Sequence, residues 1–321
     1  MKAVILLAAA ASLFAQPQVE NANFQTTAFS GSLKAVLAAK GAGPYWAAWQ
    51  EPIVSGRRGD MCSWNDNNNT PIRLEGPTAL LVLVRMDNSQ VDQLRVSSPD
   101  CRFDGGGLAF HWITGVPAAE SVAWLQSQVS EKNPDRAILA IALHAGQAAE
   151  QALDRLTAPT QAEKVRERAA FWLGNSRGAP GVEALKRMMA NDPSPKVREQ
   201  VVFALSQSKE PAALAMLIDA AKNDKTPQVR SKALFWMAQK AANKQTEDVI
   251  LSATRDDPDR SVKEQAVFAL KQLPGDRGVP LLIEVAKNNP DLAVRKKAMF
   301  WLGQSKDPRA VEFFARVLTE R

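Results

Sequence analysis

Residues Val165–Ser176 read VRERAAFWLGNS, and the chain returns to that string as VREQVVFALSQS from Val197, VRSKALFWMAQK from Val229, VKEQAVFALKQL from Val262 and VRKKAMFWLGQS from Val294. The steps are 32, 32, 33 and 32 residues. A period in this range marks a solenoid, in which each unit is one small supersecondary element that buries its apolar face only by stacking on its neighbours. The functional question becomes which surface the chain presents.

Working outward from Val165, the upstream segment PDRAILAIALHAGQAAEQALDRL (Pro134–Leu156) fits the same template with weaker residues. Its Ile141-to-Leu153 spacing of 12 equals that of Leu173 to Leu185. About six units therefore run over 131–321, each read as helix, turn, helix, the first degenerate as befits a terminal cap. Pro193, Pro195, Pro211, Pro227, Pro258, Pro274, Pro290 and Pro308 fall at the junctions, where proline starts or ends helices.

Residues 16–130 differ in kind. Turn-rich strings (SGRRGD, NDNNNTP, MDNSQ, SSPD, DGGG) punctuate β-rich runs at 77–86, 91–97 and 108–115, with helices expected at 32–39 and 120–129. The fold class is thus mostly α: a small N-terminal α+β domain ahead of a C-terminal α-solenoid of about six helical hairpins. The chain has 321 residues, 45% hydrophobic and 23% charged, enough to bury a sizeable core.

Residues 1–15, MKAVILLAAAASLFA, carry one charge at Lys2 and then a small, apolar run, the pattern of a secretory signal cleaved after Ala15. Leu13 at the minus-three position is a poor cleavage residue, so an uncleaved N-terminal anchor is the alternative. The run is shorter than the roughly 20 residues that span a bilayer comfortably, and no later stretch could span one. A periplasmic or secreted location follows. The two cysteines, Cys62 and Cys101, then read as a disulfide closing a loop of 40 residues, worth about 3 to 4 kcal/mol. A zinc site is the rival, but it needs about four ligands and only His111 and His144 could add to the thiols.

The pattern V-R-x-x-A-x-x-A-L-G, followed after a turn by a second apolar helix and then Asp with Val-Arg six residues on, resembles HEAT repeats of the short bacterial type also found in phycobilisome lyase-like proteins. The resemblance covers about 190 residues. It implies a ladder of hydrogen bonds between units, formed here by Asp192 and Arg198, Asp224 and Arg230, and Asp257 and Lys263, with Arg295 opposite the neutral Asn289. The N-terminal half, through MCSW, PDCRFDGGG and HWITGV, is similar to a domain found ahead of HEAT repeats in exported bacterial proteins, with no chemistry attached to it.

On a helical wheel starting at Val165, Ala169, Trp172 and Leu173 share one stripe while Phe171 falls near 240°. Phe recurs there as Phe203, Phe235, Phe268 and Phe300. Two readings stand: each ring completes the inter-repeat core, or the rings form an exposed spine that docks a partner. The next position alternates Trp172, Ala204, Trp236, Ala269, Trp301, which reads as large and small side chains interdigitating in the core.

Catalysis and nucleic-acid binding are weighed by their requirements. Repeats of this kind also build an iron-dependent hydroxylase whose hallmark is His-Glu pairs, and no His-Glu dipeptide occurs here. DGGG lacks the Lys and Ser/Thr of a phosphate loop, and NDNNNTP lacks the glycine and final Glu of a calcium loop. No cofactor is expected; an enzymatic alternative would place a pocket near Asp104, His111 and Trp112. Positions 131–321 carry 31 Lys and Arg against 24 Asp and Glu, a net of +7, consistent with a pI near 9.3. The line expected to face outward on the second helices is nevertheless mixed in sign: Arg155, Arg187, Asp219, Leu251, Glu284, Arg316. A phosphate backbone needs a continuous basic track, so nucleic acid is not the expected partner. The expectation is a non-catalytic scaffold binding another protein through that line or through the phenylalanines. Phe313 and Phe314 near the last helix raise self-association as an additional possibility.

Overall fold

The computed structural model describes residues 16–55, 62, 79–241, 243–275 and 277–319. The expected signal segment 1–15, the NDNNNTP string and most of SGRRGD lie outside them. The chain divides into two units, one of residues 1–128 with 139–152 and one of 129–138 with 153–321. The degenerate first hairpin is thereby shared out between the two.

The N-terminal unit is built on a mixed five-stranded sheet. Its strands are β2 (Asn23–Ala28), β3 (Tyr45–Glu51), β4 (Leu80–Asp87), β5 (Gln90–Ser97) and β7 (Ala109–Thr114), in the order β2-β7-β3-β4-β5. β7 runs parallel to both β2 and β3, whereas β3, β4 and β5 are antiparallel neighbours. A separate parallel pair is formed by β1 (Gln18–Glu20) and β6 (Arg102–Asp104). On one sheet face Trp46, Ala48, Leu81, Leu83, Phe110 and Trp112 pack with Phe103 of β6. On the other, Tyr45 Oη donates to the Leu37 carbonyl oxygen of α1 (Leu33–Ala38), and Trp49 meets Trp124 of α2 (Ala118–Ser127) edge-on at 5.4 Å. Ser32 caps α1 by accepting from the Ala35 amide. A disulfide joins Cys62 to Cys101 with 5.2 Å between their Cα atoms.

After α2 come α3 (Asp135–Leu143) and α4 (Gln147–Leu156), and the helices that follow pair into hairpins: α5 (Glu163–Ser176) with α6 (Gly178–Asn191), α7 (Pro195–Gln207) with α8 (Ala212–Asn223), α9 (Pro227–Lys240) with α10 (Lys244–Asp256), α11 (Arg260–Lys271) with α12 (Gly278–Asn288), and α13 (Leu292–Gly303) with α14 (Pro308–Thr319). From α5 onward, successive first helices pack on one another and so do successive second helices. The recurring Val165, Ala169 and Leu173 and their equivalents are buried in every unit, so apolar stripes repeat at helical spacing and close only on a neighbour. Gly174 shows how close the first helices come: a Cβ there would lie 2.5 Å from the Ala204 carbonyl oxygen of α7.

Candidate functional site

The junctions after α6, α8, α10 and α12 are Asx turns, and the first three also anchor an arginine through the aspartate side chain. Asp192, Asp224, Asp257 and Asn289 each accept, through a side-chain oxygen, the amide of the residue two positions on, at 2.8 to 3.0 Å. Three of those residues, Ser194, Asp259 and Asp291, cap the following helix in turn. The same carboxylates receive arginines from one unit upstream. Arg166 reaches Asp192 through Nε at 2.7 Å and Nη2 at 3.1 Å. Arg198 grips Asp224 at 2.8 and 3.1 Å, and Arg230 grips Asp257 at 2.7 and 2.8 Å. Each guanidinium then uses Nη1 on the preceding junction: Arg198 donates to the Asp192 carbonyl oxygen at 3.0 Å, and Arg230 to that of Asp224 at 2.9 Å. One side chain thus ties three consecutive pieces of chain together. All three ion pairs are buried, and hydrogen bonding to Asp192 and Asp257 raises the Arg166 and Arg230 guanidinium pKa values further.

Arg166 heads this ladder although the six-residue spacing singles out only later positions; its signal is the Val-Arg of the first clear repeat. Lys263 is half-buried and makes no such rung. The residue it would meet is Asn289, whose Nδ2 donates to the Thr254 carbonyl oxygen at 2.9 Å. Arginine and aspartate are replaced together, which leaves no buried carboxylate unpaired. Arg295 keeps the backbone half of the device, donating to the Asn289 carbonyl oxygen at 2.6 Å.

On the second helices Arg155, Arg187, Asp219, Glu284 and Arg316 are exposed, and Leu251 is half-buried. Arg187 reaches across to Asp154 of α4 at 2.5 Å. Glu247 on α10 is buried and pairs with Arg277 at 2.7 Å. Between α6 and α8 lies an open cleft of about 520 Å³ lined by Lys186, Met189, Ala215, Met216, Asp219 and Lys225 among others, with Arg198 of the ladder at its base. The gap between α4 and α6 holds only about 200 Å³.

The phenylalanines resolve into neither pure core nor free spine. Phe171 stacks on Phe203 at 6.1 Å and Phe235 on Phe268 at 6.1 Å, while Trp236 bridges to Phe203 at 4.8 Å and Trp301 to Phe268 at 5.2 Å. With the edge contacts of Phe235 on Trp236 and Phe300 on Trp301, the rings form one unbroken run along the first helices. Four of the five phenylalanines are half-buried, and Phe300 is 54% exposed. The reading of all three tryptophans as core is corrected: Trp172 is buried, but Trp236 and Trp301 are half-buried members of this run. Alternating size at this position serves to link rings of adjacent units. Phe313 is buried as well, leaving Val311, Val317 and Leu318 as the large apolar side chains of α14 that are exposed.

Among the described residues, Asp104, His111 and Trp112 are not brought together. Asp104 is exposed and ties a turn, accepting from the Gly106 amide at 2.8 Å and from Asn21 at 3.1 Å. Trp112 lies in the core cluster, and His111, its neighbour on β7, points to the opposite sheet face. There it meets the edge of Tyr45 at 5.3 Å, its pKa lowered by burial and secondarily by Lys40. That face holds a polar group that sequence reading missed. Trp49 Nε1 donates to Ser121 Oγ at 2.7 Å, and Ser121 Oγ lies 2.7 Å from His144 Nε2. His144 Nδ1 lies 2.7 Å from the Ala140 carbonyl oxygen, so that nitrogen carries the proton and Ser121 donates to Nε2. Glu51, 1% exposed, has its pKa pushed up to about 8 by burial. Ser121 and His144 are wholly buried, so the group knits strand to helix.

Stacked helical hairpins, locked by buried arginine–aspartate rungs and carrying side chains at fixed intervals on their outer faces, define an α-solenoid. A family profile described as HEAT repeats matches residues 149–238 and 247–321, and the chain belongs to that family. Comparison with curated proteins gives no match. Among solved structures, the chain is similar to human deoxyhypusine hydroxylase in complex with glycerol, at 18% identity over 63% of this chain and 79% of that one, with a TM-score of 0.31. It is similar to Escherichia coli YibA at 20% identity, over 64% and 76%, with a TM-score of 0.39. The CpcE and CpcF complex of phycocyanin lyase from Nostoc sp. PCC7120 matches at 21% identity, over 58% and 98%, with a TM-score of 0.32.

Proposed function

We propose that this chain is a non-catalytic scaffold of the bacterial envelope that binds a partner protein through the surface of its solenoid. The observation that carries the reading is the second-helix line, where Arg155, Arg187, Asp219, Glu284 and Arg316 stand exposed at equivalent places in successive units. Buried rungs hold those units at fixed spacing, so the line is a pre-organised surface and little ordering is needed on binding. Its mixed charge suits a protein better than a polyanion. The disulfide is compatible with an oxidising compartment, and the charged, then apolar, first fifteen residues suit export.

Photo-crosslinkers placed singly at Arg187, Asp219 and Arg316, and at Phe235 and Phe300, test the reading in intact cells. A discrete protein adduct from the second-helix positions is expected, together with release of the chain in the periplasmic fraction with Gln16 as its first residue. Absence of an adduct from both sets of positions, or a wholly cytoplasmic chain with an intact leader, overturns it.

A further inference from the structure

The cleft between α6 and α8 differs from the gap before it in how its charge is matched. Across the α4–α6 gap, Arg187 and Asp154 answer each other. At the α6–α8 cleft no such pair closes the rim among the described residues. Asp192 and Asp224 are already held by Arg166 and Arg198, and Asp219 accepts from Asn223 on its own helix at 2.7 Å. Lys186 on one wall and Lys225 on the other are exposed, and neither has a partner among the described residues. The uncompensated charge of the rim is therefore positive, two lysines against one carboxylate that already has an amide.

Beside the ion-paired Arg198, Asp192 and Asp224, part of the lining is apolar. Ala190, Ala215 and Ala220 line the cleft with short side chains, which leaves the space open, and Met189 and Met216 are half-buried within it. Methionine adapts its shape to an incoming group without polar penalty. At about 520 Å³ the space holds a few side chains. Resting on the scaffold reading above, we propose that this cleft receives an acidic segment of the partner protein. An apolar side chain seats between Met189 and Met216, and flanking carboxylates meet Lys186 and Lys225.

The test is fluorescence polarisation of the full-length chain with four labelled 12-residue peptides: acidic with a central leucine, acidic with alanine in its place, basic with leucine, and neutral with leucine. The acidic leucine peptide should bind at least tenfold more tightly than each of the others, and more weakly as salt rises. Ala215→Trp, at an exposed site, should fill the cleft and cost at least tenfold; the pair K186E and K225E should cost as much and transfer preference to the basic peptide. Equal binding of acidic and basic peptides, or of leucine and alanine peptides, overturns the proposal. So does acidic binding that survives both cleft variants, or no binding at all. If a crosslinked partner is retained while the cleft variants change nothing, this inference fails and the scaffold reading stands; if crosslinks vanish from every surface, the scaffold reading fails first.

Discussion

An arginine as deeply buried as Arg198, 2% exposed, persists only because its donors find acceptors: two carboxylate oxygens of Asp224, the Thr226 hydroxyl and the carbonyls of Asp192 and Pro193. Arg230 is the cleaner site for measurement, since its bidentate partner Asp257 is equally buried. Arg230→Leu should lower stability by about 3–5 kcal/mol, because a buried carboxylate loses the cation that grips it. The readout is the urea midpoint; a loss below about 1 kcal/mol would show that Asp257 finds another donor. The six-residue spacing makes these residues legible as a ladder, yet each arginine grips the aspartate one unit downstream and only the backbone at spacing six. A local spacing cannot reveal a pairing fixed by stacking.

Glu51 gives the opposite lesson at the same scale, since nothing around it in sequence marks a buried acid. Its pKa rises from 4.5 to about 8, so the folded chain holds the proton more tightly than the unfolded chain does. Its stabilising contribution is complete below about pH 4.5 and is lost as pH rises towards 8. Each tenfold gain in proton affinity on folding is worth about 1.4 kcal/mol, so the loss amounts to a few kcal/mol. His111 has the reverse sign: its lowered pKa removes stability as pH falls below about 6.5. Denaturant melts of wild type and Glu51→Gln separate the two. The variant should lose most of the decline between about pH 5 and pH 9 and exceed wild type at the upper end. Parallel profiles would mean that Glu51 is ionised in the fold.

Among elements, those with one buried face are readable in the sequence and those without are not. β5 is exposed or half-buried along much of its length and declares itself by polar alternation, whereas β3, YWAAWQE, is buried at nearly every residue and so shows no period of two. β2, NFQTTA, is a largely exposed edge strand and carries little hydrophobic signal at all. The first helices of the array are legible because five copies agree, but the wheel places Phe only off the core stripe; that the rings stack across units is a property of neighbours. Phe235 touches rings on both sides, and Phe300 has one ring contact and a largely open surface. Phe235→Ala should therefore cost about 1.5–3 kcal/mol, below the roughly 3–5 typical of a fully buried ring, and Phe300→Ala under about 1 kcal/mol. Equal losses in urea melts would show that the run contributes through helix propensity and not through stacking.

At the scale of the whole chain, two units with separate packing make a single unfolding free energy ill defined. The disulfide offers a way to address one of them. Cys62 and Cys101 both lie in the N-terminal unit, where the bond restricts the unfolded chain over about 40 residues, an effect of about 3–4 kcal/mol. The repeat units from α5 to α14 have no cysteine and bury their apolar stripes on one another. Replacing both cysteines by serine should thus lower hydrogen-exchange protection in β3, β4 and β7 while leaving peptides from α7 to α12 within error of wild type. If protection falls equally in both regions, the N-terminal sheet and the array unfold as one cooperative body, and the separate unfolding expected here is wrong.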